Sequence, residues 1–398
     1  MTKHVITKDR NTQLVIRDSR GIWTLNEDTM LHVYGKPGIL ISAQARNATV
    51  NIEGDVLTAG VGKSMNSLGD LPFTLLSKAN NTTVNIGANA EIISPLYAFY
   101  LTGTNAVVNN AGHINSSGAI AMMHEGRVTN SGSIAGNILM DGGTFINQEG
   151  GVVIGAKAVS GGDSVLHIAQ TYINKGLLGG MFAIDDADSD SKTINTGTIE
   201  GTVSLGGGKD VFDTRGGIVR GKVEGGEGND TFIVSRQVTI VEHTGEGTDT
   251  VKSSATFVLG SSSEVERLIL SGKDNINGTG SATDNQITGN SGNNLLRGLA
   301  GADVLTGGLG NDRLEGGDGA DHFVFRKGDG ADTILDFDNS VDQIYLKGSG
   351  FADFDALSSH ITEDKHGNAV IALNQHDSIV LTGVDSGVLN DSDFVFSA

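Results

Sequence analysis

The sequence predicts an all-β protein: a right-handed parallel β-helix that continues into a parallel β-roll and ends in a small β-rich C-terminal cap. Three observations predict it. Short β-branched runs alternate with Asn and Gly corners, an Asn-x-Gly phrase recurs in the first half, and Gly-rich nonapeptides stand in tandem in the second. The 398 residues include 58 Gly and only 3 Pro. Gly adopts positive φ at little cost, so this composition suits short strands joined by tight turns.

Charge is distributed unevenly along the chain. Residues 1–204 hold 17 acidic and 13 basic residues, a net charge of −4, whereas residues 205–398 hold 30 and 14, a net charge of −16. This acidity argues against nucleic-acid partners and predicts that the second half binds cations. The chain has no Cys, which excludes a disulfide scaffold, a thiolate metal site and a Cys nucleophile.

Neither a membrane span nor a conventional signal peptide is expected. No run of eighteen apolar residues occurs, so no transmembrane helix is predicted. The N-terminus, MTKHVITKDR, lacks the apolar region and the small-residue cleavage site of a Sec-type signal.

An Asn-containing phrase repeats through the first half. The phrase consists of an apolar residue, Asn, one or two further residues, Gly, one residue and a second apolar residue. From one copy to the next, the Asn position (Asp in the last copy) advances by 34, 24, 21, 17, 27, 21 and 18 residues. Such a period approximates one solenoid coil, so we expect equivalent corners and a ladder of bonded side chains. A β-sandwich is the alternative, but it gives no reason for the repeat. The predicted corner residues are Asn51, Asn85, Asn109, Asn130, Asn147, Asn174, Asn195 and Asp213. The apolar residues expected to point inward together are Ile114, Ile134, Val152, Leu178 and Ile199.

Three consecutive nonapeptides dominate the second half. They begin at Gly298, Gly307 and Gly316, read GLAGADVLT, GGLGNDRLE and GGDGADHFV, and follow the form G-G-x-G-x-D-x-U-x with U apolar. Degenerate copies begin at Gly280 and Gly289 and have Asn at the position of the repeat's Asp. The Gly-rich turn directs carbonyls inward and Asp adds a carboxylate, and such hard oxygen ligands suit calcium. Successive nonapeptides alternate sides, so ligands of one ion are expected 18 residues apart.

This spacing selects the candidate calcium ligands. A metal-free Gly-rich solenoid is the alternative, but it leaves the stacked carboxylates repelling one another. One side carries Asn285, Asp303 and Asp321, the other carries Asn294, Asp312 and Asp332, and a weaker upstream group consists of Asp210, Asp230 and Asp249. The turn glycines singled out are Gly301, Gly308, Gly310, Gly317 and Gly319. We predict several Ca²⁺ ions and assign no organic cofactor site and no catalytic residue.

From about residue 205 the chain resembles the RTX, or haemolysin-type calcium-binding, repeat family. The resemblance rests on the nonapeptides, on the segments SSATFVLG and VERLILSG, and on a tail that reads DTILDFDNSVDQIYL and ends in DSDFVFSA. It implies that Asp303, Asp312 and Asp321 bind calcium with the carbonyls of their turns. Asn285 and Asn294 depart from the family pattern, which predicts weaker binding in the first turns.

The resemblance also implies a route out of the cell. In this family such a tail is an uncleaved C-terminal signal for type I export through an ABC transporter. We therefore expect a bacterial protein that is extracellular, either secreted or associated with the cell surface. The expected domains are N-terminal cap strands at 1–46, the β-helix at 47–204, the calcium β-roll at 205–335, and the C-terminal cap with its export signal at 336–398.

The first half offers no catalytic motif and is assigned to no family. The string HEGRV at 124–128 lacks the second His of a zinc protease motif. No GxSxG elbow exists, and GDSVLH at 162–167 is better explained as a surface loop than as a hydrolase motif. The apolar segment SPLYAFYL at 94–101 is expected to be a loop that forms a buried flap, not a sugar-binding site.

An acidic segment, DDADSDS at 185–191, requires separate consideration. Its Asp186-x-Asp188-x-Asp190 pattern opens like an EF-hand loop, but Ser191 and Gly197 stand where that loop needs Gly and Glu. A solvated acidic loop is favoured over an additional calcium site.

The expected function is a non-enzymatic, calcium-dependent role at the cell surface, in adhesion or in matrix, by a protein that folds on binding calcium outside the cell. The alternative is a secreted polysaccharide-modifying enzyme (a lyase, epimerase or glycosidase) built on the β-helix. Expected partners are calcium and the type I export machinery. Extracellular polysaccharide, the cell surface and further copies of the chain are the candidate partners of the first half. Three carboxylates, or a mixed basic and acidic trio, on one β-helix sheet would favour the enzyme.

Overall fold

Parallel strands stacked coil upon coil account for most of the computed structural model, which describes residues 2–34, 37–59, 74–161, 169–186, 189–260 and 263–397. Two compact units are present, Met1–Glu227 (unit 1) and Gly228–Ala398 (unit 2). The predicted all-β parallel solenoid is confirmed: the described residues contain one five-residue α-helix and two 3₁₀ turns beside the strands. None of the described helices is long and apolar enough to span a membrane.

Unit 1 contains 24 of the described strands. They are β1 (Lys3–Ile6), β2 (Leu14–Ile16), β3 (Ile22–Leu25), β4 (Met30–Tyr34), β5 (Ile39–Ile41), β6 (Thr49–Ile52), β7 (Asp55–Ala59), β8 (Leu75–Ser77), β9 (Thr83–Ile86), β10 (Glu91–Leu101), β11 (Ala106–Asn110), β12 (His113–Met122), β13 (Gly126–Asn130), β14 (Ser133–Met140), β15 (Gly143–Asn147), β16 (Val152–Ile154), β17 (Lys157–Gly161), β18 (Gln170–Asn174), β19 (Leu177–Asp185), β20 (Ser191–Asn195), β21 (Thr198–Ser204), β22 (Val211–Asp213), β23 (Ile218–Val219) and β24 (Lys222–Glu224).

The core of unit 1 consists of side-chain columns that cross successive coils. Side chains alternate between the faces of a strand, so every second residue joins the core. One buried column lies on the sheet that contains β6, β9 and β11. Its members, in register, are Val50, Val84, Val108, Val128, Phe145, Tyr172, Thr193 and Phe212.

A ladder of buried Asn side chains fixes one edge of this sheet. Each Asn Nδ2 donates to the Oδ1 of the next Asn at 2.8–2.9 Å, and the last donates to a Thr hydroxyl at 3.0 Å. The same Nδ2 atoms donate to nearby backbone carbonyls, as Asn147 does to Gly151 at 3.0 Å. The members are Asn110, Asn130, Asn147, Asn174, Asn195 and Thr214.

The predicted corner is wrong by one residue at both ends of this ladder. Asn109 lies opposite Thr129 and belongs to a half-buried outer ladder in which its Nδ2 donates to Asn85 at 2.8 Å. Asn85 Nδ2 donates in turn to Asn51 Oδ1 at 2.8 Å, so the predicted corners Asn51 and Asn85 also lie in the outer ladder. Asp213 pairs with Ile194, which leaves the inner place to Thr214. Strand β11 contains two consecutive Asn, and a one-residue shift exchanges the buried and exposed faces.

The inward apolar column on the other sheet needs one similar correction. Ile134 pairs with Val153, and Val153 pairs with Leu178, so Val153 takes the place predicted for Val152. The other four predicted members, from Ile114 to Ile199, share this column.

The segment at 94–101 was expected to be a loop and is instead the second half of β10. Its register shifts between Ser94 and Tyr97, after which Phe99 pairs with Ile120 of the next coil. Phe99 and Leu101 are buried, so the expected burial is confirmed although the expected loop is wrong.

Replacing Asn147 by Ala is expected to destabilise unit 1 by about 3 kcal/mol, because it leaves buried amide and carbonyl partners unsatisfied. Asn109→Ala, in the half-buried ladder, is expected to cost less than about 1 kcal/mol. Denaturant unfolding in excess calcium measures both, since the fluorescence of Trp23, the single Trp, reports on unit 1. Equal losses would contradict a structural role for the inner ladder.

Unit 2 holds shorter coils and a mixed C-terminal end. Its strands are β25 (Thr231–Val234), β26 (Thr239–Val241), β27 (Thr250–Ser253), β28 (Phe257–Val258), β29 (Arg267–Leu270), β30 (Gly278–Thr279), β31 (Gln286–Thr288), β32 (Leu295–Ala300), β33 (Val304–Thr306), β34 (Arg313–Asp318), β35 (His322–Arg326), β36 (Ala331–Ile334), β37 (Gln343–Lys347), β38 (Ile361–Glu363), β39 (Ala369–Ala372), β40 (Ser378–Leu381) and β41 (Phe394–Ser397). Helix α1 (Phe354–Ser358) precedes β38, and 3₁₀ turns cover Ser386–Val388 and Asp391–Asp393. Strands β38, β39 and β40 are antiparallel, whereas β36 and β40 pair in parallel.

Candidate calcium-binding turns

The predicted ligands of one side stack directly on one another in unit 2. The backbone N–H of Asn285 donates to Asp303 Oδ1 at 2.7 Å, and that of Asp303 donates to Asp321 Oδ1 at 2.9 Å. Asp321 continues the series by donating to Asp342 Oδ1 at 2.9 Å. All four residues are buried. Asp342 was missed in the sequence because no Gly-rich turn precedes it.

The opposite side forms a second column of the same kind. The N–H of Asn294 donates to Asp312 Oδ1 at 2.7 Å, and that of Asp312 donates to Asp332 Oδ1 at 2.8 Å. All three are buried. The structure therefore brings together both predicted sets, in which successive members lie 18 residues apart except for Asp332, which follows Asp312 after 20.

The second carboxylate oxygen in three of these residues has no hydrogen-bond partner. The Oδ2 atoms of Asp303, Asp312 and Asp321 are buried and unpaired. Buried polar atoms are rarely left without a partner, so these three oxygens require a ligand to complete them.

The first glycine of each nonapeptide leaves room beside that oxygen. A Cβ on Gly298, Gly307 or Gly316 would lie 2.1, 2.3 or 2.1 Å from the Oδ2 of the Asp five residues later. A side chain at these positions would therefore displace the carboxylate. The missing Cβ lets each carboxylate pack directly against its own turn.

The predicted turn glycines adopt backbone conformations that other residues avoid. Turns stack so closely that a Cβ on Gly319 would lie 1.8 Å from the carbonyl oxygen of Gly301. Leu299 takes the place of Gly317 one coil earlier and is held at φ +93°, a strained conformation for an L-residue. The φ values of Gly301, Gly308, Gly310, Gly317 and Gly319 are +112°, +94°, +129°, +105° and +151°.

These features fit a hard divalent cation. Calcium takes six to eight oxygen ligands from carboxylates and backbone carbonyls. Each turn offers one carboxylate beside its carbonyls, and among the described residues no three Asp, Glu or His side chains converge on one metal position.

Asn285 and Asn294 differ from the Asp residues of their columns, because their amides already have partners. Asn285 Oδ1 accepts from the N–H of Ser281 at 2.6 Å, and its Nδ2 donates to the Val265 carbonyl at 2.9 Å. Asn294 Nδ2 donates to the Ile276 carbonyl at 2.6 Å. An amide provides its own hydrogen-bond donor and no negative charge, so each column begins with a residue that needs no cation.

The three upstream candidate ligands are divided between the two units. In unit 2 the N–H of Asp230 donates to Asp249 Oδ1 at 2.7 Å, and the N–H of Asp249 donates to Glu266 Oε2 at 2.7 Å. Glu266 was not predicted, since it follows no Gly-rich turn. Asp210 belongs to unit 1, where its Oδ1 accepts from the N–H of Ser191 at 2.6 Å.

Burial raises the pKa values of the stacked carboxyl groups, and neighbouring carboxylates add to the effect in most of them. The pKa reaches about 7 in Asp303 and Asp332 and about 6 in Asp312, Asp321 and Asp249. Backbone N–H donors act in the opposite direction but do not offset burial. Holding these groups ionised therefore costs free energy unless a cation is close.

Acid is expected to substitute in part for calcium in chelator-treated protein. A carboxyl whose pKa is raised in the folded state stabilises the fold fully below its ordinary pKa, and this stabilisation is lost as the pH rises through about 6–7. The β signal in circular dichroism should therefore grow as chelated protein is acidified through this range. In calcium titrations, the calcium concentration at the folding midpoint should rise as the pH falls through the same range, because protons compete with calcium for the carboxylates. A chelated spectrum independent of pH would contradict this assignment.

Comparison with known proteins agrees with this geometry. A family model for the RTX calcium-binding nonapeptide repeat matches four overlapping segments, 271–298, 279–314, 288–323 and 298–334. Residues 271–334 are therefore RTX repeats, and the family named from the motifs is confirmed for this part of the chain. RTX repeats bind calcium and are typical of secreted bacterial proteins.

Two solved structures are similar to parts of the chain. The AlgE6R3 subunit of the Azotobacter vinelandii mannuronan C5-epimerase is 30% identical, with a TM-score of 0.28, over 32% of this chain and 81% of that one. The extracellular lipase LipA of Serratia marcescens is 14% identical, with a TM-score of 0.26, over 65% of this chain and 45% of that one. At these TM-scores neither overlay bears on function. A comparison with curated proteins finds no match.

Proposed function

We propose that this is a secreted bacterial calcium-binding protein whose second unit becomes ordered when calcium occupies the stacked turns outside the cell. The proposed central ligands are the carboxylates of Asp303, Asp312 and Asp321 with the carbonyls of their turns. The observation that carries the proposal is the buried, unpaired Oδ2 in each of these residues. Asp332 and Asp342 continue the columns towards the C-terminus.

Asp230 and Asp249, together with Glu266, are proposed as a further and weaker calcium group. They repeat the stacked N–H to carboxylate pattern of the central columns. Asn285 and Asn294 are proposed to begin the columns and to bind calcium weakly, because their amides already make hydrogen bonds.

Export is proposed to depend on the C-terminal segment 336–398 through a type I transporter. Deletion of roughly the last 60 residues is expected to trap the chain inside the producing cell, while exported wild-type protein keeps its N-terminus. Immunoblotting of medium and cells, with N-terminal sequencing of the exported protein, tests both points. Mature protein lacking its first twenty to thirty residues would indicate a conventional signal peptide instead.

A non-enzymatic role at the cell surface, in adhesion or in matrix, is the effector function that we propose for unit 1. Its support is the character of the outer face of the sheet that holds the Asn ladders. The described strands place Thr, Asn and Ile side chains there in register from coil to coil, among them Asn85, Asn109, Thr129, Ile146 and Ile173. Such a repetitive face suits extended contact more than chemistry at one point.

One groove favours the enzyme alternative. It has a volume of about 390 Å³ and is lined by Lys175, Glu200 and Arg220 among others. They bring a mixed basic and acidic trio together, although Lys175 and Arg220 lie between strands and not on one sheet. Arg220 Nη1 lies 2.5 Å from Glu200 Oε1, however, so the two charges already compensate each other.

Incubation of the calcium-loaded protein with alginate and with pectate distinguishes the two functions. The proposed role predicts no new unsaturated ends, no reducing ends and no change in uronate epimer content by NMR. Turnover that is abolished in Lys175→Ala and retained in Lys192→Ala, a change to an exposed lysine outside the groove, would establish the enzyme instead.

A further inference from the structure

The last coils of unit 1 enclose a buried polar cluster. We name it the Asp186–Asp210 cluster and define it as Tyr172, Asp186, Ser191, Thr193 and Asp210. These residues are 1%, 8%, 4%, 0% and 1% exposed. The solvated acidic loop favoured from the sequence is therefore wrong for Asp186. Asp190 is exposed as expected, and Asp188 lies outside the described residues.

Neighbouring coils bring the cluster together. Ser191 pairs with Gln170, and Thr193 pairs with Tyr172, so both hydroxyl-bearing residues lie in inward columns. The N–H of Ser191 donates to Asp210 Oδ1 at 2.6 Å. This contact repeats the one that links successive turns in unit 2, where Asp303 donates to Asp321 Oδ1.

The phenol of Tyr172 faces the carboxylates. Its hydroxyl donates to Gln170 Oε1 at 2.8 Å and is also within hydrogen-bonding reach of Asp186. Burial first, and then the negative charges of Asp186 and Asp210, raise the pKa of Tyr172 well above its usual value. The Tyr172 hydroxyl therefore lies at the side of the cluster that holds Asp186.

Two hydroxyl oxygens of the cluster are left without a partner. Ser191 Oγ and Thr193 Oγ1 are buried and make no hydrogen bond. Buried hydroxyls normally make hydrogen bonds, and two nearby carboxylates add the cost of burying negative charge. All of these atoms are oxygens, the ligand type that calcium prefers.

Asp190 also stacks on a Gly-rich turn, as successive turns stack on one another in unit 2. The N–H of Lys209 donates to Asp190 Oδ1 at 2.8 Å. Gly208 adopts φ +121°, and a Cβ there would lie 2.7 Å from the backbone nitrogen of Asp190. Asp190 therefore stacks on this turn and supplies a side-chain oxygen to it.

We propose that the Asp186–Asp210 cluster is a calcium site, separate from the repeats at 271–334, with the two carboxylates and the Ser191 hydroxyl as its side-chain ligands. The ion balances the two buried charges and joins Asp186 to the coil that carries Asp210. Tyr172 lies beside the ion and donates its hydroxyl to Gln170 Oε1.

Calcium stoichiometry of the full-length protein tests this site. Asp186→Asn is expected to bind one ion fewer than wild type in equilibrium dialysis. Asp185→Asn is the matched control: it removes the same charge from the adjacent residue, which is half-buried and pairs with Lys157 at 2.5 Å, and it should bind as many ions as wild type. Equal stoichiometry in Asp186→Asn and wild type, or an equal loss in Asp185→Asn, would overturn the proposal and leave the cluster as a water site.

Terbium luminescence distinguishes ion binding at this site from ion binding in unit 2. It also tests the proposal if Asp186→Asn fails to fold. Terbium replaces calcium at oxygen sites and is excited through a nearby Tyr, so Tyr172→Phe is expected to lose a calcium-displaceable component that Tyr345→Phe retains. Asp303→Asn should retain this component while weakening binding in unit 2. Identical luminescence in Tyr172→Phe and wild type would contradict the proposal, regardless of how many ions bind in unit 2.

Discussion

Chelation of calcium in the full-length protein is expected to abolish the ordered β-structure of unit 2 while unit 1 keeps its own. Residues 228–398 hold 26 acidic and 10 basic residues, a net charge of −16. Without a cation, the stacked carboxylates repel one another, and the Gly-rich turns lose much backbone entropy on ordering. Binding and folding should therefore be one process. Hydrogen exchange with peptide-level resolution measures protection in the two units separately, with and without chelator.

The dependence should be specific to calcium and to the buried carboxylates. Extracellular modules bind calcium with dissociation constants of about 10⁻⁴–10⁻³ M, and magnesium is a poor substitute because it requires strict octahedral geometry. Asp321→Asn is expected to raise the calcium midpoint at least about tenfold, equivalent to roughly 1.4 kcal/mol. Asp318→Asn removes the same charge from an exposed position of the same repeat and should change it less than about twofold. Full protection of unit 2 in chelator would refute the coupling.

Sequence pattern predicted the columns of unit 2 well because the nonapeptide specifies both the turn and the ligand. Asp303, Asp312 and Asp321 each follow a Gly-rich turn at a fixed offset, so the 18-residue coil follows from the spacing alone. Asp342 and Glu266 occupy the same columns without such a turn. Their place is set by register between coils, which a local motif does not encode.

The first half was harder to predict for the same physical reason. The Asn phrase defined a coil but not which of Asn109 and Asn110 faces the core, since adjacent residues lie on opposite faces. Asp186 was misjudged because composition favours solvation of an acidic run. Only the packing of neighbouring coils buries that residue against Tyr172.

Replacing Gly316 by Ala is expected to impair calcium binding as strongly as Asp321→Asn, although it changes no proposed ligand side chain. The added Cβ would lie 2.1 Å from Asp321 Oδ2, so the carboxylate must leave its position. Gly316 does not have a positive φ, and backbone strain therefore does not account for the loss. Calcium titration followed by circular dichroism should show a midpoint raised at least about tenfold.

Gly387→Ala in the same unit provides the control for this substitution. Gly387 also lacks a positive φ, and its Cβ would meet only Asp385 Oδ1, at 3.1 Å, on an exposed side chain that can move. Its midpoint should stay within about twofold of wild type, as for ordinary surface substitutions. A normal midpoint in Gly316→Ala would show that the space beside Asp321 is not where calcium binds, because no ion could keep that carboxylate as its ligand once the methyl group had displaced it.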